Sequence, residues 1–163
     1  MRQILPNLEQ LLKTVKKHPI RLWGWRPVHP ITGKRSWHNG VDLACKTGTP
    51  IFCPWDGVIY KKWWSKLNGN ALRIRHINVP GVRETAYAHL DSYPAYLESE
   101  LKAETLQVKA GDVIGYVGNT GASKGSHLHF IIRLTKSQKI GGRRRCDVDP
   151  ISRLEGSLLS DSQ

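Results

Sequence analysis

The chain has 163 residues, of which 39% are hydrophobic, and this is enough for one domain with a buried core. It contains no run of about 18 apolar residues, which excludes a transmembrane helix. Lys and Arg number 25 against 13 Asp and Glu, a net charge of +12. Such an excess indicates a polyanionic partner, such as nucleic acid, an anionic membrane or bacterial cell wall.

Residues 1–19 predict a short amphipathic helix that ends before Pro19. Its apolar residues recur at helical spacing, and they are Leu8, Leu11, Leu12 and Val15. We expect this helix to pack against the domain, because a docked helix shows this density of apolar residues. The segment lacks the apolar region and the small-residue cleavage site of a signal peptide, so the chain as given encodes no export signal.

Residues 20–154 predict one antiparallel β domain, and residues 155–163 a polar tail. Short runs of β-branched and aromatic residues alternate with turn residues, at 48–64, 70–79, 83–90, 113–121 and 127–134. Only residues 93–106 interrupt this pattern with a helix-like segment. The predicted fold is therefore mainly β, an antiparallel β sandwich or open barrel with a helix at the front and one helical insertion.

Three cysteines, Cys45, Cys53 and Cys146, form an odd set without CxxC spacing. This pattern indicates neither a disulfide framework nor a cysteine zinc knuckle. Cys45 and Cys53 could face each other across a hairpin. We expect small buried thiols, since free cysteine often behaves as a small apolar residue.

Two histidine motifs carry the chemistry of the sequence. His38 and Asp42, four residues apart, are either half of a metal site or a surface histidine and a turn-forming aspartate. His127 and His129 are two residues apart in a predicted strand, so their side chains share one face. A catalytic zinc ion takes three nitrogen or oxygen ligands and keeps a fourth position for water. The first pair with one histidine of the second supplies that count, and the other histidine remains as an acid or base.

These segments resemble, in order, the lysostaphin-type, LytM-like zinc endopeptidases that cleave peptide bonds in peptidoglycan. The matching pieces are "HNGVDLACKTGTPIFCPWDGVI", "YAHL", "VKAGDVIGYVGNTGASKGSHLHF" and "DVDP", within about 23–150. The resemblance implies that His38, Asp42 and His129 bind one zinc ion per chain. It also implies that His127 and His89 are the catalytic pair beside the attacking water.

The chain departs from the family pattern at two places. Ile131 stands where relatives often carry an acidic residue, so any support from that carboxylate must come from elsewhere. The stretch between His89 and Val108 is longer and more helix-like than in many relatives. Three residues, Trp63, Trp64 and Asn70, are expected to bind substrate on another wall of the cleft. For the two tryptophans, packing in the core is the alternative.

The resemblance predicts an active zinc endopeptidase acting on peptidoglycan cross-links or bridges. One alternative is a non-catalytic peptidoglycan-binding or amidase-regulating domain of the same fold. The other is a basic nucleic-acid protein or metal nuclease, for which "WHNG" is a superficial cue and no nucleic-acid motif is recognisable. Residues 136–145 predict an exposed basic hairpin that attracts anionic cell-wall or outer-membrane polymers. A phage lysis enzyme or virion-carried wall hydrolase, made in the host cytoplasm and acting in the periplasm or wall, fits this description. A secreted enzyme whose leader was removed is the rival.

Overall fold

The structure is a computed structural model that describes residues 4–17, 21–99, 106–140 and 142–154. These residues are mainly antiparallel β-structure, which confirms the predicted fold class. The helices and strands, in chain order, are α1 (Leu8–Lys16), β1 (Gly24–Arg26), β2 (Ser36–His38), β3 (Val41–Ala44), β4 (Pro50–Phe52), β5 (Gly57–Ser65), β6 (Gly69–His76), β7 (Val82–Leu90), α2 (Ala95–Ser99), β8 (Leu106–Val108), β9 (Val113–Tyr116), β10 (His127–Ile140) and β11 (Arg143–Val148).

One seven-stranded sheet organises the domain. Six of its strands follow the order β11-β10-β7-β6-β5-β8, and the seventh, β3, pairs with β10. The 14-residue strand β10 pairs with β7 along one edge, while its other edge is shared by β3 and then β11. Two smaller antiparallel pairs, β1–β2 and β4–β9, lie outside this sheet. The long strand β10 therefore connects most of the segments that carry the histidine motifs.

Strand β10 separates the core from the candidate site by simple alternation. Leu128, Phe130 and Ile132 are fully buried in the hydrophobic core. Their neighbours His127 and His129 project from the opposite face, because successive side chains of a strand point to opposite sides. Burial of the apolar set fixes the register of the strand, since a slip of one residue would place the imidazoles in the core.

The N-terminal segment belongs to the same core. Ile4 and Leu5 are fully buried within it, and the Phe52 N–H donates a hydrogen bond of 2.9 Å to the Ile4 carbonyl. Helix α1 lies against β3, and Leu11 packs on the core. The side chains of the other predicted apolar positions, Leu8, Leu12 and Val15, lie outside the described set, as do residues 18–20 and the predicted tail at 155–163.

The predicted helical insertion is present as the five-residue helix α2, whose Leu97 is buried in the core. Residues 100–105 lie outside the described part of the chain, and β8 begins at Leu106. None of the helices in the described ranges is long and apolar enough to cross a membrane.

The three cysteines are free thiols. Cys53 is fully buried, and its S–H donates to the Trp55 carbonyl at 3.1 Å. Burial raises the pKa of this thiol to about 12. Cys53 is thus a small apolar core residue, as the sequence predicts, and it forms no disulfide with Cys45.

Shortening a buried side chain in the N-terminal segment should lower the stability of the whole domain. We expect Leu5→Ala to lower the free energy of unfolding by about 2–5 kcal/mol, because it opens a cavity in a packed core. The control Glu9→Gln removes an ion pair between Glu9 and Lys13, both of which are exposed, and should leave stability unchanged. Urea denaturation followed by circular dichroism measures both, and equal midpoints would contradict the docking of this segment.

Candidate metal centre

Three strands bring together the predicted ligands. His38 ends β2, Asp42 lies in β3, and His129 lies in β10 directly opposite Asp42. One nitrogen or oxygen atom from each side chain lies within 4.8 Å of the other two. His129 Nδ1 is 2.8 Å from Asp42 Oδ1, and His38 Nε2 is 3.0 Å from His129 Nδ1 and 3.2 Å from Asp42 Oδ1. The structure thus assembles the whole predicted set at one point.

The outer nitrogens of the two imidazoles fix where their protons lie. His38 Nδ1–H donates to the Leu22 carbonyl at 2.7 Å, and His129 Nε2–H donates to Asn39 Oδ1 at 3.2 Å. Carbonyl oxygens only accept hydrogen bonds, so each neutral ring keeps a lone pair on its other nitrogen. Two nitrogen lone pairs and one carboxylate oxygen therefore face each other without a proton among them. This donor set fits a divalent metal ion, and zinc in particular takes two histidines and one carboxylate in catalytic sites.

Arg26 holds the other oxygen of the aspartate. Its guanidinium donates to Asp42 Oδ2, and the residue is only 6% exposed. Because Oδ2 is committed to Arg26, the free Oδ1 is the atom that can bind a metal ion.

Sequence reasoning missed Arg26. The residue stands 16 positions before Asp42, and it reaches the aspartate because β1 pairs with β2. Its strand reads Gly-Trp-Arg with the tryptophan exposed and its neighbours buried. An arginine on the inner face of a short strand is a weak signal, but it is the one available for a buried ion pair.

The predicted catalytic histidines lie beside the ligands. His127 Nδ1–H donates to the Gly125 carbonyl and His89 Nδ1–H to the Thr120 carbonyl, both at 2.8 Å. Each ring therefore keeps its lone pair on Nε2. The ring centroids of His89 and His127 are 4.7 Å apart, and His127 Nε2 is 3.7 Å from Asp42 Oδ1. Burial lowers the pKa of His89 to about 4.

Backbone carbonyls accept the hydrogen bonds that orient the catalytic imidazoles, a role that an acidic residue at position 131 could otherwise have. Ile131 is buried on the cleft side of β10, between His129 and Arg133. Both non-ligand imidazoles are instead oriented by main-chain oxygens, from Gly125 and Thr120. Such outer hydrogen bonds fix ring orientation as well as a carboxylate does.

A β-bulge turns His89 toward the site. Ala88 lies directly opposite His129, so strict alternation would point His89 to the core. The pairing between β6 and β7 shifts register here, and the His89 backbone adopts a φ of 63°. A bulge with a residue of positive φ redirects a side chain, and such bulges are frequent next to active sites.

Close glycine contacts hold the loop that orients His89. A Cβ on Gly121 would lie 2.2 Å from the Gly69 nitrogen, and one on Gly69 would lie 2.2 Å from Thr120 Oγ1. Both glycines have positive φ, which other residues rarely adopt. The β5–β6 turn and the 118–126 loop therefore interlock. This contact fixes the Thr120 carbonyl under His89.

The five histidine and aspartate positions open into a cavity of about 830 Å³. Among the three substrate-binding candidates, Trp63 lines this cavity. Trp64, its neighbour in β5, is 65% exposed and is not among the lining residues. Asn70 also lies outside the lining, and its amide donates to the Leu90 and Asp91 carbonyls at 3.3 and 3.1 Å. The structure thus brings one of the three candidates to the cleft.

An aspartate in the "DVDP" segment fastens the wall that carries His38. Trp23 Nε1–H and Trp37 Nε1–H both donate to Asp147 Oδ2, at 3.1 and 2.9 Å. The Arg145 guanidinium lies 3.9 Å from the Trp37 ring centre. These contacts tie β1 and β2 to β11, and so they locate His38 relative to β10.

Comparison with known proteins assigns this arrangement to a family. Residues 36–141 match the sequence profile of peptidase family M23. The chain belongs to peptidase family M23. The matched range contains all five histidine and aspartate positions of the site, while Arg26 precedes it.

Members of the M23 family with similar sequences and structures cover most of the chain. It is 42% identical over 128 residues to the DD-carboxypeptidase/endopeptidase Mpg of Neisseria meningitidis serogroup B, which is 78% of this chain. A zinc-containing peptidase from Vibrio cholerae is 33% identical with a TM-score of 0.57, over 78% of this chain and 34% of that one. The catalytic domain of lysostaphin from Staphylococcus simulans is 29% identical with a TM-score of 0.63, over 82% of this chain and 89% of that domain.

The chain spans only part of the Neisseria and Vibrio relatives. It spans 26% of the length of the Neisseria protein. It covers most of the lysostaphin catalytic domain, so the shared part is the M23 peptidase domain itself.

Removal of any one ligand should abolish stable metal binding by this M23 domain. We expect zinc content after dialysis to fall from about one ion per chain to near zero in His38→Ala, Asp42→Ala and His129→Ala, because two protein ligands hold zinc weakly. Ser126→Ala is the matched control, since Ser126 lines the same cavity and contacts the Thr47 hydroxyl. Mass spectrometry of metals measures the content, and full occupancy in the three variants would refute the ligand set.

Proposed function

We propose that this domain is a zinc-dependent endopeptidase that hydrolyses peptide bonds in bacterial peptidoglycan, in stem-peptide cross-links or bridges. The carrying observation is the set of three unprotonated donors, from His38, Asp42 and His129, with two further imidazoles beside it. The name of one relative supports the substrate, since the chain is 38% identical over 105 residues to the peptidoglycan DD-endopeptidase ShyC of Vibrio cholerae. The presence of every ligand and of both extra histidines weighs against a non-catalytic wall-binding domain.

His38 Nε2, His129 Nδ1 and Asp42 Oδ1 are the atoms that would hold the zinc ion. When bound, zinc supplies a Lewis acid that polarises the scissile carbonyl and lowers the pKa of water. Arg26 orients the aspartate by donating a hydrogen bond to its other oxygen. Leu22 and Asn39 hold the two rings so that their lone pairs converge.

His127 and His89 would handle the protons of the reaction. Both present an Nε2 lone pair, because their Nδ1–H groups are bound to carbonyl oxygens. One imidazole accepts a proton from the attacking water and then, as imidazolium, donates it to the departing amine. The other, as an N–H donor after protonation, stabilises the developing oxyanion. Because carbonyl oxygens hold both Nδ1–H groups, Nε2 is the nitrogen that each ring presents to the reaction.

The proposed site of action is the periplasm or cell wall, where the substrate lies. A phage lysis enzyme or virion-carried hydrolase is one setting for a compact, basic wall hydrolase, and a secreted bacterial enzyme is the other. The basic hairpin, residues 136–145, would add affinity for anionic wall or outer-membrane polymers. Strands β10 and β11 form this hairpin, and its exposed charges are Lys136, Lys139, Arg144 and Arg143, of which Arg143 also lines the cavity.

Loss of either proposed proton carrier should remove activity without removing zinc. We expect His127→Ala and His89→Ala to lower turnover on purified peptidoglycan by about 10²-fold or more, the scale for a positioned acid or base. Zinc content should stay near one per chain, since neither residue belongs to the three-ligand set. Release of dye from labelled peptidoglycan measures turnover, and metal analysis of the same preparations measures zinc content. Full activity in both variants would overturn the mechanism, and loss of zinc in His127→Ala would reassign that residue as a ligand.

Salt should slow the hydrolysis of intact walls more than that of small soluble peptides. The field of a +12 chain is screened over about 10 Å at 0.1 M ionic strength. Replacing Lys136, Lys139 and Arg144 together by glutamine should reduce this salt dependence.

The matched control removes three exposed lysines elsewhere, Lys17, Lys46 and Lys109. Sedimentation binding to walls and initial rates at 20–300 mM salt measure both triple variants. Identical salt slopes in the two would show that the hairpin has no special part in wall binding.

A further inference from the structure

The cleft continues beyond the metal ligands along the same face of the sheet. On β10 the side chains after His129 that share its face are Ile131 and Arg133. On β7 the residues opposite His129 and Ile131 are Ala88 and Ala86. This part of the cleft therefore has a low apolar floor that an extended peptide can lie on, and it ends at an arginine.

Two arginines border this floor. Arg133 lies at its far end, and Arg73 lies on β6 directly opposite Ala86, so both belong to the same face. Both line the cavity. Arg133 is four residues beyond His129, about 13 Å along the strand, a distance that about four residues of extended peptide span.

The acidic group nearest to these arginines is already shared. Glu84 accepts hydrogen bonds from Tyr60 Oη at 2.7 Å and from Arg133 Nη1 at 2.6 Å, and Arg83 Nε lies 3.4 Å away. Burial would raise the pKa of Glu84, but the bonds from Tyr60 and Arg133 outweigh it and the pKa is lowered. The single carboxylate of Glu84 therefore faces two guanidinium groups, those of Arg133 and Arg83, and a net positive charge remains.

Arg73 has no carboxylate partner among the residues that the structure describes. Its guanidinium stacks at 5.2 Å on the Trp63 ring, which engages the face of the group, and the residue lines the cavity. A guanidinium can stack on an aromatic ring and still offer its N–H fork to a carboxylate. The two acids that line the cavity, Asp42 and Asp147, are committed to the metal centre and to two tryptophans. The arginines at this end of the cleft therefore have too few acidic partners, and a bound anion would balance their charge.

We propose that Arg73 and Arg133 form a subsite for a carboxylate carried by the peptide substrate, within a few residues of the scissile bond. This inference rests on the proposed peptidase function and specifies its substrate. It predicts preference for stem-peptide cross-links with a free carboxylate over uncharged bridges such as glycine chains. Bidentate pairing of arginine with a carboxylate supplies both the affinity and the position of the chain in the cleft.

Two synthetic peptides test the subsite. They share one scissile bond and differ only at the residue four positions away, where one carries a carboxylate and the other the carboxamide. The zinc-loaded protein should cleave the carboxylate peptide with a kcat/KM about 10- to 100-fold higher, the scale of a charge-assisted hydrogen bond. In Arg73→Gln and Arg133→Gln this ratio should fall below about threefold, while Arg73→Lys should retain part of it.

Lys109→Gln is the charge-matched control. Lys109 is exposed and lies 3.6 Å from the exposed Asp56, away from the cavity lining. Its loss also removes one positive charge, so a ratio unchanged in this variant separates the subsite from the general field. A ratio that falls equally in Lys109→Gln would overturn the subsite.

Calorimetric binding of the same two peptides to the zinc-loaded His127→Ala protein, in which turnover should be strongly reduced, measures the affinity for each peptide without hydrolysis. Tighter binding of the carboxylate peptide supports the subsite even if an arginine variant fails to fold. If neither peptide is cleaved by the unsubstituted protein, the peptidase function is refuted, but tighter binding of the carboxylate peptide still supports the subsite. Equal affinities, or equal cleavage of both peptides by the unsubstituted protein, would overturn the subsite while leaving the peptidase function standing.

Discussion

Three unshared electron pairs directed at one small volume are the constraint on which this domain is built. Without a cation, the facing atoms of His38, Asp42 and His129 repel one another. The surrounding structure holds them in place all the same. Carbonyl oxygens fix the two outer imidazole protons, a buried arginine takes the spare carboxylate oxygen, and strand pairing sets Asp42 against His129. Binding energy from the metal would offset this cost, so folding and metal uptake are coupled.

The cleft is chemically uneven along its length. One end gathers histidines and a carboxylate, and the other gathers guanidinium groups above a floor of alanine. Both ends lie on the same face of β10, so the strand fixes the distance between the scissile bond and the charged group of the substrate. Because the opposite face of β10 is packed into the core, this spacing is rigid.

Much of the site is predictable from the sequence because its signals are local. His127 and His129 share a face by strand parity, and His38 with Asp42 follows a recognisable order of segments. The residues that complete the site are brought in by pairing between strands that are distant in sequence, and no local sequence pattern predicts them. Arg26 is the clearest example, and Trp64 is another, since its side chain leaves the cleft that its neighbour Trp63 lines.

The same limit applies at the N-terminus. Helical spacing predicts α1, yet the buried contacts of Ile4 and Leu5 involve two residues before it, too few to form a pattern. His89 is an intermediate case. The resemblance to the family selects it, while parity along β7 would have pointed it into the core, and only the bulge explains its position.

The left-handed backbone of His89 sets foldability and chemistry against each other at one position. Glycine adopts this conformation at no steric cost, and asparagine tolerates it, whereas histidine carries strain of order 1 kcal/mol. A screen that rewards thermal stability alone should therefore enrich glycine or asparagine at position 89. Such variants would look improved by every folding assay, yet they would lack an imidazole beside the metal centre. Stability is thus a misleading guide when variants of this domain are selected.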